Sequence, residues 1–142
     1  MASEHGIPEL EQPIIGVIGG SGLLKSRSEL FQKLTFDEVA TPQGTVLVRH
    51  GRLEGGGTLA FVQRHEATPS RKYTQPADIN YAAMALALKS IGCNRVIGVC
   101  SVGSLRTSIG VGAIVVPDDY YCPFDVRRVY ADARGHYMPG FD

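Results

Sequence analysis

Three short polar clusters, each following an apolar run, carry residue types from which an anion site can be built. They are Gly19-Gly20-Ser21-Gly22, Arg64-His65 and Cys100-Ser101-Val102-Gly103-Ser104. Backbone N–H groups in a glycine turn can converge on an anion, and the Ser21 hydroxyl adds a donor. Glycine also lets the backbone come close to a ligand, because no Cβ intervenes. The Arg64 guanidinium is a planar fork that matches phosphate bidentately. The imidazole of His65 can hydrogen-bond a phosphate or a sugar hydroxyl. Each cluster also has a plainer reading. The first lacks the third glycine of Gly-x-Gly-x-x-Gly, and Lys25 is not preceded by the glycine of a P-loop, so it can be only a tight turn after a core strand. Arg64 can be a surface ion-pair partner, His65 a packed imidazole, and Ser101 and Ser104 caps for the turn at Leu105. Asp118-Asp119 reads as a turn or helix start rather than a metal site, and no metal is expected.

The elements that must position these clusters follow from the apolar pattern. Residues 14–18 form a continuous apolar run broken only by Gly16, as in a strand buried on both faces. Residues 30–39 suit a strand or a short helix. Thr41-Pro42-Gln43-Gly44 is a turn signature between that segment and a β-rich stretch at 45–50. With 59–63, beyond the Gly55-Gly56-Gly57 turn, that stretch makes a hairpin. Pro76 suits the first turn of a helix through residues 79–91, with Asp78 at the positive end of its dipole and Gly92 as C-cap. So few polar residues interrupt this helix that burial on most sides is expected. Residues 95–102 read as another buried strand, giving a right-handed βαβ unit with a parallel pairing, and residues 113–117 as a further strand. In such a sheet the three clusters end neighbouring strands and can share one crevice.

The 142 residues suffice for one domain with a real core, and 44% hydrophobic with 20% charged residues is an ordinary globular composition. Fourteen basic residues balance fourteen acidic ones, with no basic run, so neither a nucleic-acid nor a membrane-surface partner is expected. Cys93, Cys100 and Cys122 are odd in number and form no Cys-x-x-Cys, consistent with reduced thiols in a cytoplasmic protein. Residues 1–12, polar and with Pro8, form a flexible arm without a signal-peptide pattern, and residues 13–142 form the domain.

Four separated motifs occur in order: Ile15 to Leu23, Arg64-His65, Pro76-x-x-Ile79-Asn80-Tyr81, and Val102-Gly103-Ser104-Leu105-Arg106 followed by Ile114-Val115-Val116-Pro117-Asp118. In this the chain resembles the purine nucleoside phosphorylase family, specifically its trimeric branch with methylthioadenosine phosphorylase, from about residue 14 to residue 119. The resemblance implies an α/β fold, a mixed sheet flanked by helices, of which this chain carries the N-terminal half. It implies phosphorolysis: phosphate attacks the anomeric carbon of a purine nucleoside and the base leaves, with no metal or organic cofactor and inorganic phosphate as co-substrate. It assigns phosphate binding to Gly20, Ser21, Arg64 and His65, with His65 catalytic. Cys100 and Ser101 then occupy the strand-end phosphate and ribose segment, and Val102 and Gly103 border the substrate. His136 approaches the 5′ end of a neighbour's substrate across a homotrimer.

The chain departs from the family pattern in three ways. Cys100-Ser101 stands where Ser or Thr and then Ala are usual. The segment from Arg64 to Pro76 is longer and lacks a second histidine. The later strands, a Met-Thr segment and the acidic residues that contact the purine do not occur in the 142 residues, so the chain alone is expected to lack phosphorolysis. Two other readings stay open. One is a non-catalytic phosphate-binding subunit or remnant of the family. The other is a Rossmann-like nucleotide-binding domain, which an acidic residue ending the second strand would favour; Glu54 lies in a glycine turn instead.

Overall fold

The structure is a computed structural model, and it describes residues 13–24, 33–54 and 56–119. The arm at 1–12, Cys122 and His136 lie outside these residues. The chain divides into two units, Met1–Cys100 and Ser101–Asp142.

The first unit is built on a five-stranded mixed sheet in the order β2-β3-β4-β1-β5. Strand β1 (Ile14–Gly19) leads into a single helical turn, α1 (Ser21–Leu24). Strands β2 (Thr35–Thr41), β3 (Gly44–Arg52) and β4 (Thr58–Gln63) form an antiparallel meander. The ambiguity at 30–39 therefore resolves, over its described part, as a strand. Pro42-Gln43 makes the two-residue turn between β2 and β3, where Thr41 Oγ1 donates to the Gly44 carbonyl at 2.6 Å and Gly44 takes a φ of 128°. The hairpin expected from 45–63 is present. Strand β1 runs parallel to β4, with Gly19 opposite Gln63, and parallel to β5 (Arg95–Gly98), with Ile18 opposite Gly98. The C-terminal ends of β1, β4 and β5 therefore lie side by side.

Helix α2 (Tyr81–Ser90) connects β4 to β5. Its start differs from expectation. Pro76–Asp78 is a separate 3-10 turn, Ile79 is extended, and Asn80 is the N-cap, its Oδ1 accepting from Ala83 N at 3.0 Å. Asp78 thus lies outside the first turn of α2, because a capping side chain with extended backbone before it starts a helix more decisively than Pro76. The C-terminal end is as expected. Gly92 has a φ of 86°, its N–H donates to the Lys89 carbonyl at 3.0 Å, and Cys93 N–H donates to the Leu88 carbonyl at 3.0 Å. That paired pattern is the Schellman motif. The half-buried Cys93 then packs on the core, and burial pushes its thiol pKa up.

Helix α2 buries one side, not most sides. Ala83, Met84, Ala87 and Leu88 face Val46, Val48, Ala60 and Val62 of β3 and β4, while Tyr81, Ala85 and Lys89 are exposed. Its small alanines let the helix lie close to the sheet. At Gly16 a Cβ would come within 3.1 Å of Leu88 Cδ1, so glycine there admits the leucine.

Three further expectations fail. The β4–α2–β5 connection gives parallel strands, but β5 pairs with β1, which lies between them. Strand β5 ends at Gly98, and all four of its residues are exposed, with Val96 and Ile97 each about half accessible. Consequently β1 is half-buried except at Gly16 and Gly19. β5 is the edge strand of the sheet, and among the described residues nothing pairs with its outer side. Finally, residues 113–117 form no strand, and Ile114, Val115 and Val116 are exposed. β-propensity describes fit to a half-buried sheet surface, and without a neighbouring strand it forms none.

Candidate functional site

The C-terminal edge of the three parallel strands is tied together by one residue. The Arg64 backbone N–H extends the β1–β4 ladder by donating to the Gly19 carbonyl at 2.9 Å, and Val99 N–H extends the β1–β5 ladder by donating to the Ile18 carbonyl at 2.8 Å. The Arg64 side chain then crosses this edge, with Nη1 donating to the Val99 carbonyl at 2.9 Å. Its Nη2 lies beside Gly20, where a Cβ would stand 3.3 Å away. Arg64 is half-buried. Of the five guanidinium donors, two point to protein partners among the described residues, and the Nη2 edge faces the Gly20 turn.

His65 fixes the second of those donors. Arg64 Nε donates to His65 Nε2 at 3.3 Å, and His65 Nδ1 bonds the Thr74 carbonyl at 3.0 Å. A carbonyl only accepts, so Nδ1 carries the proton and Nε2 is the acceptor; these partners select one neutral tautomer. The ring also stacks on Tyr73, with centroids 5.0 Å apart and planes 6° from parallel. Its backbone is held on both sides: His65 N–H donates to Gln63 Oε1 at 2.6 Å, and its carbonyl accepts from Thr74 N at 2.7 Å. The imidazole is oriented by the 66–75 segment, and it orients Arg64.

The glycine turn is tight for a different reason from the expected one. Neither Gly19, Gly20 nor Gly22 has a positive φ, so the turn needs no glycine-only backbone conformation. At Gly19 the constraint is packing: a Cβ there would lie 2.6 Å from Leu23 Cδ1 and 3.0 Å from Phe61 Cε2, so both side chains would have to shift. Gly20 leaves room for the guanidinium. Ser21 is exposed at the start of α1.

The structure therefore brings Gly20, Arg64 and His65 together at one edge, with Ser21 on the turn and Cys100 one residue beyond the Val99 carbonyl. Cys100 is an exposed free thiol. Ser101, Val102 and Gly103 belong to the second unit, where they are exposed and without regular structure. There Ser104 Oγ donates to the Arg106 carbonyl at 2.8 Å and accepts from Arg106 N at 3.1 Å, the local turn that its plainer reading predicts. Gln63, Thr74, Tyr73 and the Val99 carbonyl complete the site and were not legible as its members. Gln63 left a signal, as the polar residue ending the apolar strand 59–62. The carbonyls left none, because any residue supplies one.

An arginine held by Val99 and His65, a turn that admits its fork and three neighbouring strand termini leave unused guanidinium donors at one edge of the sheet. A family model described as the phosphorylase superfamily matches residues 14–141. A probable 6-oxopurine nucleoside phosphorylase from Archaeoglobus fulgidus is 37% identical over 129 residues, 91% of this chain and 51% of that protein. An S-methyl-5′-thioadenosine phosphorylase from Thermococcus kodakarensis is 36% identical over 87% of this chain and 45% of its own. Among solved structures, a mutant adenosine/methylthioadenosine phosphorylase from Schistosoma mansoni with tubercidin superimposes with a TM-score of 0.56 at 29% identity, over 69% of this chain and 34% of that one. The chain spans about half the length of the curated relatives it matches. With a match that runs from the first strand to almost the last residue, the chain belongs to the phosphorylase superfamily.

Proposed function

We propose that this chain carries the phosphate side of a purine nucleoside phosphorylase site. In the reaction an oxygen of inorganic phosphate bonds to the anomeric carbon while the N-glycosidic bond breaks. The bonding electrons leave on the purine, giving free base and a ribose 1-phosphate. The relatives' names supply the substrate class: 6-oxopurine nucleosides and 5′-methylthioadenosine. The observation that carries the reading is the Arg64 guanidinium, anchored by Val99 and His65 and set against the Gly20 turn.

In this site Arg64 holds and neutralises phosphate, the Gly20 and Ser21 turn supplies further donors, and Cys100 follows the Val99 carbonyl that anchors the guanidinium. Catalysis is positioning of the nucleophile plus charge stabilisation. His65 acts through Arg64: with Nε2 accepting from Nε, it fixes the angle of the fork. The family resemblance gives Ser101 a phosphate role, Val102 and Gly103 a sugar role, and His136 a role at the 5′ end of a neighbouring subunit's substrate in a homotrimer. No metal or organic cofactor takes part, and the enzyme works in the cytoplasm.

The test is calorimetric titration of inorganic phosphate. Arg64→Ala should weaken binding by about 1.5–3 kcal/mol, the scale of a hydrogen bond to a charged group. Arg64→Lys should recover only part, because a point charge replaces a fork. Unchanged affinity in Arg64→Ala sinks the assignment.

A further inference from the structure

The opposite side of the β3–β4 hairpin holds a second collection of donors. Strand register places Arg49 opposite both Phe36 of β2 and Phe61 of β4, and Leu47 two residues before it faces the same way. Phe36, Leu47, Arg49, Gln63, Glu66 and Arg71 line a small cavity on this face. The Arg49 guanidinium carbon lies 4.1 Å from the Phe36 ring centroid and that of Arg71 lies 4.2 Å from it. Two cations thus share one aromatic ring. Burial and the Arg71 charge both lower the Arg49 pKa, while Glu66 acts in the opposite sense. No carboxylate among the described residues lies within ion-pair distance of either arginine.

Gln63, one of the lining residues, is buried and carries an unpartnered donor. The residue is 5% exposed, and its Oε1 is taken by His65 N–H at 2.6 Å. That bond fixes the amide orientation, because a backbone N–H needs the oxygen. Nε2 is left with two donors, fully buried and without a hydrogen-bond partner among the described residues. Buried amide donors are satisfied in native proteins, so this one calls for an acceptor. Arg71 contributes a further sign: its φ is 51°, a left-handed conformation uncommon for a non-glycine residue.

We propose that Arg49, Arg71 and the Gln63 amide form a second anion site, which takes a small oxyanion of the phosphate or sulfate class. Glu66, which also lines the cavity, leaves the site with a net positive charge of one and disfavours a bulky polyanion. The acceptor oxygens satisfy the Gln63 amide and relieve the repulsion between the two guanidinium groups. Gln63 borders both sites, its Oε1 holding His65 of the Arg64 cradle, but the cations differ: Arg49 and Arg71 line this cavity, and Arg64 does not.

The test is a titration of the 142-residue chain, labelled with nitrogen-15, with inorganic phosphate and in a parallel arm with sulfate. The readout is the pair of Gln63 side-chain amide proton resonances. Both should move saturably, and the movement should persist in Arg64→Gln, which empties the other cradle. Arg71→Gly suits the left-handed backbone and removes one cation, so the folded chain should bind at this site at least tenfold more weakly. Arg71→Lys should restore most of the response. Gln63 resonances that stay fixed to tens of millimolar in both arms, or that respond equally in Arg71→Gly, overturn the proposal. Loss of the response in Arg64→Gln also overturns it, since the two sites would then be one.

Discussion

Arg64 commits two donors to the protein and turns its remaining edge toward Gly20, so the smallest change at that glycine reaches the cation. A Cβ at position 20 would stand 3.3 Å from Nη2, closer than side chains usually approach, and the branches of a valine would stand closer still. Gly20→Val should therefore displace the fork and lower phosphate affinity at least tenfold, with Gly20→Ala intermediate. Circular dichroism should show both variants folded, because the backbone at Gly20 does not use a positive φ. Normal phosphate binding by a folded Gly20→Val chain would mean that the turn does not face the ligand. At this scale the sequence was partly legible. Residue type singled out Arg64, His65 and Gly20 as candidates, and the structure brings the three together. Residue type did not show that the imidazole is already engaged, because its partners are Arg64 itself and a carbonyl nine residues away.

The elements differ in how much of them the chain dictates locally. Helix α2 ends at Gly92 because Cys93 and Gly92 return hydrogen bonds to Leu88 and Lys89, and only a residue at ease with a φ of 86° allows this. Gly92→Ala should cost about 1–2 kcal/mol, the penalty for a left-handed alanine. Urea unfolding should show it as a lower midpoint with an unchanged slope. A Cβ there would also meet Ile14 Cδ1 at 3.4 Å, ordinary contact, so the loss would report backbone conformation rather than crowding. Local signals of this kind, the Gly92 stop and the Pro42-Gln43 turn, were legible in advance. The start of α2 and the extent of β5 were not. Pro76 and Asp78 suit a helix start in isolation, and the Asn80 side chain overrides them. Val96, Ile97 and Val99 suit a buried strand, yet burial depends on what lies alongside, which a strand's own residues do not encode.

At the scale of the whole molecule, the apolar surface is unevenly distributed. Helix α2 covers one face of the meander, while Val96 and Ile97 on the edge strand are exposed to 53% and 52%. The second unit displays Leu105, Val111 and Ile114 almost fully. A flat apolar edge is a template for pairing with another chain, and an inserted lysine blunts it. The 142-residue chain should associate with rising concentration in sedimentation velocity runs, and Ile97→Lys should shift it toward monomer. An equally associated Ile97→Lys chain would place the contact elsewhere. The core was legible as a set of apolar residues; its lopsidedness was not, because composition counts such residues without showing which side of the sheet they cover. One side chain also joins distant parts of the first unit. Asn80 Oδ1 caps α2, while its Nδ2 donates to the Gln43 carbonyl in the β2–β3 turn at 2.8 Å, across 37 residues of chain. Asn80→Asp keeps the cap and sets a carboxylate against that carbonyl; Asn80→Ala removes both links. In stopped-flow refolding, a slower folding limb in Asn80→Asp with the cap intact would mean that helix nucleation waits for the hairpin to arrive. The order of assembly would then be written into a single amide, whose oxygen serves the nearest turn of chain and whose nitrogen serves one made much earlier.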